Sequence, residues 1–239
     1  MLKLTFMGTK GEIEESAPGH QYHSSLLLET GGRRLLIDYG LLHHYGLNEI
    51  KPDAILITHA HPDHYSWLKQ TIETEAPVYL IRETLGYGKF KPQQSRVIIP
   101  GQEFEVGAFQ CLAYRVIHSI RCPAVGYKIK VDSKTLVYNS DLVDIVDKEK
   151  VLTGVDYYIG DGSGIKANLV RRRGDTLFGH TRISTQIHWC QQHNIRHIIF
   201  THLGKETIAR ETEFKAEHPE VTLAYDGMEI RVTQFYTMR

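Results

Sequence analysis

The sequence has few cysteines and no long apolar stretch. Only Cys111, Cys122 and Cys190 occur among 239 residues, and their odd number and wide spacing exclude a disulfide framework and a paired-cysteine metal site. No run of about 18 uncharged apolar residues is present, so a transmembrane helix is not expected. The apolar run after Met1 is too short for a signal peptide. We therefore expect a cytoplasmic protein without a membrane partner.

The chain also has no excess of either charge, because 28 Lys and Arg residues balance 28 Asp and Glu residues. A protein-wide field that attracts nucleic acid is excluded, so any such binding has to come from a local patch. The sequence has no internal repeat, low-complexity tract or linker rich in Pro and Ser. A single domain over residues 1–239 is the expectation.

Histidine, in contrast, is abundant, with 14 residues in the chain. Neutral imidazole is the commonest metal ligand in proteins and acts as an acid or base near neutral pH. A metal-dependent or acid–base site is therefore the first kind of site to look for.

Apolar runs separated by turn residues predict strands in the first half and near the C-terminus, and helical spacing begins only in the second half. Predicted strands are Leu2–Met7, Ser24–Thr30, Arg33–Asp38, Ala54–Thr58, Pro77–Ile81, Phe109–Ile117, Val125–Val131, Thr135–Tyr138, His197–Thr201, Val221–Ala224 and Glu229–Val232. Predicted helices are Thr181–Gln192 and, approximately, Glu206–Glu217. This order indicates an α/β fold with two packed sheets and outer helices, a four-layer αββα sandwich.

The densest group of histidines follows the predicted strand Ala54–Thr58. His59 and His61 are two residues apart at a strand end, so their side chains project to the same side and can share one metal ion. Asp63 and His64 lie beyond the turn and can address a second ion nearby. The pattern is typical of a site with two metals.

Three more candidate ligands each follow a predicted strand. His118 follows Phe109–Ile117, Asp141 follows Thr135–Tyr138, and His202 follows His197–Thr201. Because the cluster from His59 to His64 also follows a strand, one edge of the sandwich can gather all seven side chains into one cleft.

Taken in order, these motifs resemble the metallo-β-lactamase superfamily over nearly the whole chain. The resemblance implies an αββα fold and two divalent ions, Zn²⁺ by default, with Mn²⁺ or Fe²⁺ as alternatives because all the ligands are nitrogen or oxygen. It also implies that Asp38 supports the metal-binding turn, and that the ion ligands are His59, His61 and His118 for one ion, Asp63, His64 and His202 for the other, with Asp141 bridging.

Gly179-His180-Thr181 resembles the histidine motif of ribonuclease Z and the phosphoribosyl cyclic phosphodiesterases. That likeness implies catalytic roles for Asp63 and His180 in phosphodiester hydrolysis. His180 is expected at the N-terminus of the helix Thr181–Gln192, where backbone N–H groups favour an anion, and with Arg182 it is expected to bind substrate. The run Arg171–Arg173 fits either a solvated loop or a phosphate contact.

The spacing of the motifs limits the class of substrate that is expected. Only 23 positions separate His118 from Asp141 (141 − 118), which leaves no room for the long arm with which ribonuclease Z enzymes hold tRNA. Small or cyclic phosphodiesters are therefore favoured. A ribonuclease Z-type nuclease acting on RNA, an acyl hydrolase for lactones or thioesters, and a nucleic-acid-binding module with structural metals are the alternatives.

Two further expectations concern packing and assembly. Trp67 stands where the family usually has Gly, and core packing is favoured over a ring above the metals. A homodimer is expected from the resemblance alone.

Overall fold

The structure is a computed structural model that describes residues 1–232. Its strands are β1 (Leu2–Gly8), β2 (Ser25–Thr30), β3 (Arg33–Ile37), β4 (Ala54–Leu56), β5 (Val78–Ile81), β6 (Ser95–Ile98), β7 (Glu103–Val106), β8 (Phe109–Ile117), β9 (Ala124–Val131), β10 (Lys134–Tyr138), β11 (Asp144–Ile145), β12 (Tyr157–Asp161), β13 (Leu169–Arg173), β14 (Thr176–His180), β15 (His197–Thr201), β16 (Val221–Leu223) and β17 (Glu229–Val232). Its helices are α1 (Leu47–Ile50), α2 (Arg82–Tyr87), α3 (Lys148–Leu152), α4 (Ile183–Gln192), α5 (Lys205–Ala209) and α6 (Glu211–Glu217).

Most of the strands form two mixed sheets. The first has the order β17-β1-β2-β3-β4-β5-β6, antiparallel from β17 to β3 and parallel from β3 to β6. The second has the order β11-β8-β9-β10-β12-β15-β16, with β7 paired to β8. The hairpin of β13 and β14 belongs to neither sheet. Within residues 1–232, no helix has the length and apolarity needed to cross a bilayer.

Alternation along the strands explains why the sheets are covered on both faces. In β2, Leu26 and Leu28 belong to the core between the two sheets, whereas Leu27 belongs to a second core on the outer face of the first sheet. Burying each such side chain stabilises the fold by about 1.5–3 kcal/mol. On the outer face of the second sheet, α4 contributes Ile183 and Ile187 to a third core. The predicted αββα sandwich is confirmed.

Trp67 lies in the outer core of the first sheet and is fully buried. Its Nε1 donates a hydrogen bond to the Ile72 carbonyl at 3.1 Å, so the one polar atom of the ring is satisfied within this core. The prediction of core packing is confirmed, and the alternative of a ring above the metals is wrong.

The segment around His180 differs from the predicted helix N-terminus. His180 is the last residue of β14, and α4 begins only at Ile183, with Arg182 as its N-cap. The backbone stays extended because the Thr181 N–H donates to the Leu142 carbonyl at 2.7 Å, outside any helix. His180 is therefore held by a strand end and not by a helix.

The hydrophobic periodicity of the sequence did not predict several other elements correctly. The predicted helix Glu206–Glu217 is two helices, because the chain leaves helical angles at Arg210 (φ −114°, ψ 17°). Strands β6, β7, β11, β12, β13 and β14 were not predicted. In β13 three consecutive arginines replace the apolar alternation by which a strand is recognised.

Candidate metal centre

One edge of the sandwich collects side chains that are far apart in the sequence. β4 leads into the segment that begins at His59, and His118, Asp141 and His202 follow β8, β10 and β15. Their donor atoms form compact groups, each with all ligand atoms within 4.8 Å of one another. The strand-end positions predicted from the sequence thus meet in a single cleft.

The first group consists of His59, His61 and His118. The Nε2 atom of His59 lies 2.9 Å from Nδ1 of His61, and Nε2 of His118 lies 3.3 Å from the same Nδ1 atom. Burial lowers the pKa of His118 to about 4, with a further lowering from the neighbouring His180 and His61 rings and an opposing effect of Asp141. Three neutral imidazole nitrogens facing one point are a donor set suited to a divalent metal ion.

The second group consists of Asp63, His64, Asp141 and His202. Nε2 of His64 lies 3.1 Å from Asp63 Oδ2 and 2.7 Å from Asp141 Oδ2. Nε2 of His202 lies 3.0 Å from Asp63 Oδ2 and 3.4 Å from Asp141 Oδ1. Asp141 also lies 3.7 Å from His59, so its carboxylate stands between the two groups.

Asp38 supports the second group from behind. It is fully buried, accepts hydrogen bonds from the backbone N–H and hydroxyl of Thr58, and accepts one from Nδ1 of His64 at 2.8 Å. The bond to Nδ1 leaves Nε2 of His64 directed at the carboxylates of Asp63 and Asp141. Asp38 adopts a left-handed backbone conformation (φ 61°), which non-glycine residues adopt at a cost of about 1–3 kcal/mol and which clusters at functional sites.

Buried polar atoms of this cluster test whether it suits a cation. Within the described residues, Asp63 Oδ1, Asp141 Oδ2 and His64 Nε2 are buried without a hydrogen-bond partner of acceptable geometry. Burial disfavours a charge on His202, but Asp141, Asp161 and Asp63 outweigh it and raise the pKa of its ring to about 10. The buried carboxylates therefore stabilise the positively charged form of the neighbouring ring. A bound divalent cation satisfies both the charge of these carboxylates and the free lone pairs of His64 Nε2 and Asp141 Oδ2, so the residues fit a metal.

Asp161, which sequence reasoning missed, links two histidines of the cleft. This buried residue ends β12, and its Oδ2 accepts from Nδ1 of His180 at 2.8 Å. Its Oδ1 accepts from the Ser163 hydroxyl at 2.5 Å, and the Ser163 oxygen lies 3.1 Å from Nδ1 of His202. The neighbouring His180 is the main cause that lowers the pKa of Asp161 to about 2 against the effect of burial. Its position at the end of a strand is the sequence signal that could have identified Asp161. That signal was missed because β12 was not among the predicted strands.

The assignment of His180 has a structural alternative. Asp141, Asp161, His180 and His202 also form a compact group of possible metal donors, which overlaps the second group. Nδ1 of His180, however, is taken by Asp161, and its ring is about a quarter exposed, whereas Asp141, Asp161 and His202 are buried. His180 therefore stands at the wall of the cleft.

A cavity of about 790 Å³ opens above the cluster. His61, Asp63, His118, Asp141, His180 and His202 form its floor and wall, and apolar side chains such as Ile13 and Leu169 form its sides. The structure does not bring Arg182 into this lining; Arg182 is exposed at the start of α4. His59 and His64 lie beneath the floor, fully buried.

Comparison with known proteins agrees with this arrangement. A family model described as the beta-lactamase superfamily domain matches residues 21–159, more than half of the chain. The ribonuclease Z of Methanopyrus kandleri is 24% identical over 286 aligned positions, which cover 97% of this chain and 98% of the relative. A diphosphatase of the PhnP family superposes with a TM-score of 0.72 at 19% identity over 96% of both chains. The short form of human tRNase Z superposes with a TM-score of 0.69 at 18% identity over 97% of this chain and all of that one.

Fold and cleft together define the class, an αββα protein with a His/Asp cluster able to bind metal at the end of its sheets. The chain belongs to the beta-lactamase superfamily, as a metal-dependent hydrolase of the metallo-β-lactamase fold. The resemblance stated from the sequence motifs is confirmed.

Proposed function

We propose that the protein is a phosphodiesterase that holds two divalent metal ions, with Zn²⁺ as the default and Mn²⁺ or Fe²⁺ as alternatives. The observation that carries this proposal is the place of His180. It lines the cavity directly beside the cluster, with Nδ1 at 3.2 Å from Asp141 Oδ1. The proposed ligands are His59, His61 and His118 for one ion, Asp63, His64 and His202 for the other, and Asp141 for both.

When bound, the ions act as Lewis acids that lower the pKa of water and stabilise negative charge on phosphoryl oxygens. Asp63 orients the attacking water. One of its carboxylate oxygens, Oδ2, contacts His64 and His202, whereas Oδ1 is buried without a partner among the described residues. Oδ1 is thus the lone pair available to accept a hydrogen bond from the nucleophile.

His180 supplies the proton that the leaving oxygen needs. Its Nδ1–H donates to Asp161, which fixes the ring orientation and leaves Nε2 for the substrate. Burial disfavours a charge on the ring, but the carboxylates of Asp161 and Asp141 outweigh it and raise its pKa above that of a free imidazole. A positioned imidazolium can donate to the leaving group and also neutralise charge that develops on phosphorus.

The substrates we favour are small or cyclic phosphodiesters. Between His118 and Asp141 the chain contains only the hairpin of β9 and β10, with no inserted arm to grip a folded RNA. The curated relatives named ribonuclease Z support the alternative of RNA processing. Hydrolysis of acyl substrates such as lactones or thioesters is the further alternative, and the resemblance of Gly179-His180-Thr181 to the motif of phosphodiester hydrolases favours a diester over it.

The decisive experiment compares substrates on the metal-replete chain. We expect hydrolysis of bis(p-nitrophenyl) phosphate to exceed that of a panel of lactones and thioesters. Asp63→Asn is expected to abolish it. The matched control is Asp53→Asn, because Asp53 is exposed and directly precedes β4, at the end of that strand opposite the cluster. A lactone or thioester turned over faster than every diester would contradict the proposal.

Location and assembly stay proposals with narrower support. All three cysteines are free and buried, as expected for a protein of the reducing cytoplasm. A homodimer is proposed by family resemblance, and light scattering of the purified chain tests it.

A further inference from the structure

A basic hairpin stands beside the proposed active site. Strands β13 and β14 pair only with each other, and Arg171, Arg172 and Arg173 are all exposed. Within residues 1–232 none of the three forms an ion pair, and Asp175 in the turn is the single acidic residue of the hairpin. The hairpin therefore carries unneutralised positive charge in a protein whose total charge is zero.

The base of this hairpin is tied to the metal cluster. The Gly179 N–H donates to the His118 carbonyl at 2.7 Å, and Nδ1 of His118 lies 3.2 Å from the Gly179 carbonyl. Gly179 has a φ of 105°, and a Cβ there would meet the Leu169 carbonyl at 2.1 Å, so only glycine fits. These contacts attach the base of the hairpin to His118, a proposed metal ligand, and the two strands extend from there into solvent.

Alternation along β13 decides which arginines face the site. Leu169 lines the active-site cavity, and residues two and four positions further project to the same face as Leu169. Those residues are Arg171 and Arg173, at about 7 and about 13 Å along the strand. Arg172 projects to the other face of the hairpin, where its cross-strand partner is Leu177.

An aromatic ring lies among these arginines. Phe178 is directly opposite Arg171 in the antiparallel register, so the two side chains share a face. Phe178 is only half-buried and belongs to none of the three hydrophobic cores of the described residues. A guanidinium beside a partly exposed ring is the combination on which unpaired bases stack, with their phosphates on neighbouring cations.

We propose that the face of the hairpin carrying Leu169, Arg171, Phe178 and Arg173 binds single-stranded nucleic acid leading to the cavity. This inference rests on the proposed phosphodiesterase and adds short, unstructured strands to the small phosphodiesters proposed as its substrates. Arg171 and Arg173 contact two successive phosphates beyond the scissile one, and Phe178 stacks on a base between them. A duplex has no free base face for Phe178, so it lacks the stacking contribution.

The test measures binding separately from turnover. Fluorescein-labelled strands of about eight uridines with phosphorothioate linkages, which resist hydrolysis, are titrated into the metal-replete full chain and followed by anisotropy at about 50 to 200 mM salt. The corresponding duplex is titrated in parallel. A chain that binds the strand but hydrolyses no diester refutes the proposed function alone, whereas a chain that hydrolyses diesters but does not bind refutes this inference alone.

Each variant has its own expected signature. Arg171→Gln and Arg173→Gln should each weaken binding about fivefold near 0.1 M salt and reduce the salt slope by about 0.7, the value of one phosphate contact on a single strand. Phe178→Leu should weaken binding at least about fivefold with the salt slope unchanged, because stacking carries no counterion release. Arg172→Gln removes the same charge from the opposite face and is the matched control, with affinity retained within about twofold.

Three results would overturn the inference. The first is a loss of affinity with Arg172→Gln as large as that with Arg171→Gln or Arg173→Gln. The second is duplex binding as tight as single-strand binding, and the third is an unchanged salt slope in the Arg171 and Arg173 variants. Thermal unfolding midpoints check that each variant folds. If a glutamine variant unfolds early, Arg171→Lys and Arg173→Lys replace it in the same salt titration, and because they keep the charge we expect them to keep the salt slope of the unmodified chain.

Discussion

The replacement of His180 by Ala separates the proton donor from the metal ligands. The ring is held by Asp161 at 2.8 Å and belongs to neither proposed ligand set, so both metals should remain bound. A positioned general acid contributes about 10² to 10⁴ in rate, which at 1.36 kcal/mol per factor of ten is about 2.7 to 5.4 kcal/mol of transition-state stabilisation. We expect a loss of that size for a substrate whose leaving group is a sugar alkoxide. The loss should be under about tenfold for bis(p-nitrophenyl) phosphate, because p-nitrophenolate departs without a proton.

The assay compares kcat on a cyclic mononucleotide with kcat on bis(p-nitrophenyl) phosphate, and elemental analysis gives the metal content of the same samples. His188→Ala is the matched control, because His188 is exposed on α4, and we expect it to change neither rate nor metal content. Loss of a metal ion from His180→Ala would show that the ring is a ligand in the overlapping group with Asp161 and His202. Unchanged kcat on the cyclic substrate would refute its role as the acid.

Three further predictions follow from the cluster, the spacing of the motifs and the core. The chain purified without chelator should hold about two transition-metal ions, and Asp141→Ala should lose metal and activity together, because its carboxylate stands between both groups; a content that stays at one ion or fewer after reconstitution with Zn²⁺ and Mn²⁺ would contradict two sites. At matched metal and salt, kcat/KM on cyclic mononucleotides and cyclic phosphosugars should exceed that on precursor tRNA with a 3′ trailer, since no arm grips the folded RNA; a clear preference for the tRNA would reverse this conclusion. Burial raises the pKa of the Cys111 and Cys190 thiols to about 12, so near pH 8 the native thiolate fraction is about 10⁻⁴ and iodoacetamide should modify them only after unfolding in urea. Rapid alkylation of either cysteine in the folded chain, read by mass spectrometry, would be inconsistent with that burial.

The order of the predicted elements and the motifs, with the family resemblance that they carry, predicted the sandwich and the candidate ligands from the sequence by itself. Consecutive leucines such as Leu26, Leu27 and Leu28 need cover on both faces of their sheet, and the order of strands and helices along the chain indicates two sheets with outer helices. His59 and His61 are two residues apart on an extended chain, so their shared side is a property of the backbone. For this reason, both the fold class and the ligand candidates could be predicted before any contact between distant segments was known.

Only the tertiary structure decided which distant groups meet. Asp161 lies on a strand that periodicity did not reveal, and its contact with His180 depends on where β12 and β14 end in space. Arg182 was predicted at the site from its sequence neighbours, but the extended backbone up to Thr181 turns it into solvent at the start of α4. Arg171 lies on the cavity side of its hairpin because Leu169, two residues earlier on β13, is placed in the cavity lining by the fold. Such contacts join residues across many positions of chain, so their geometry is set by packing of the whole sandwich and not by local sequence.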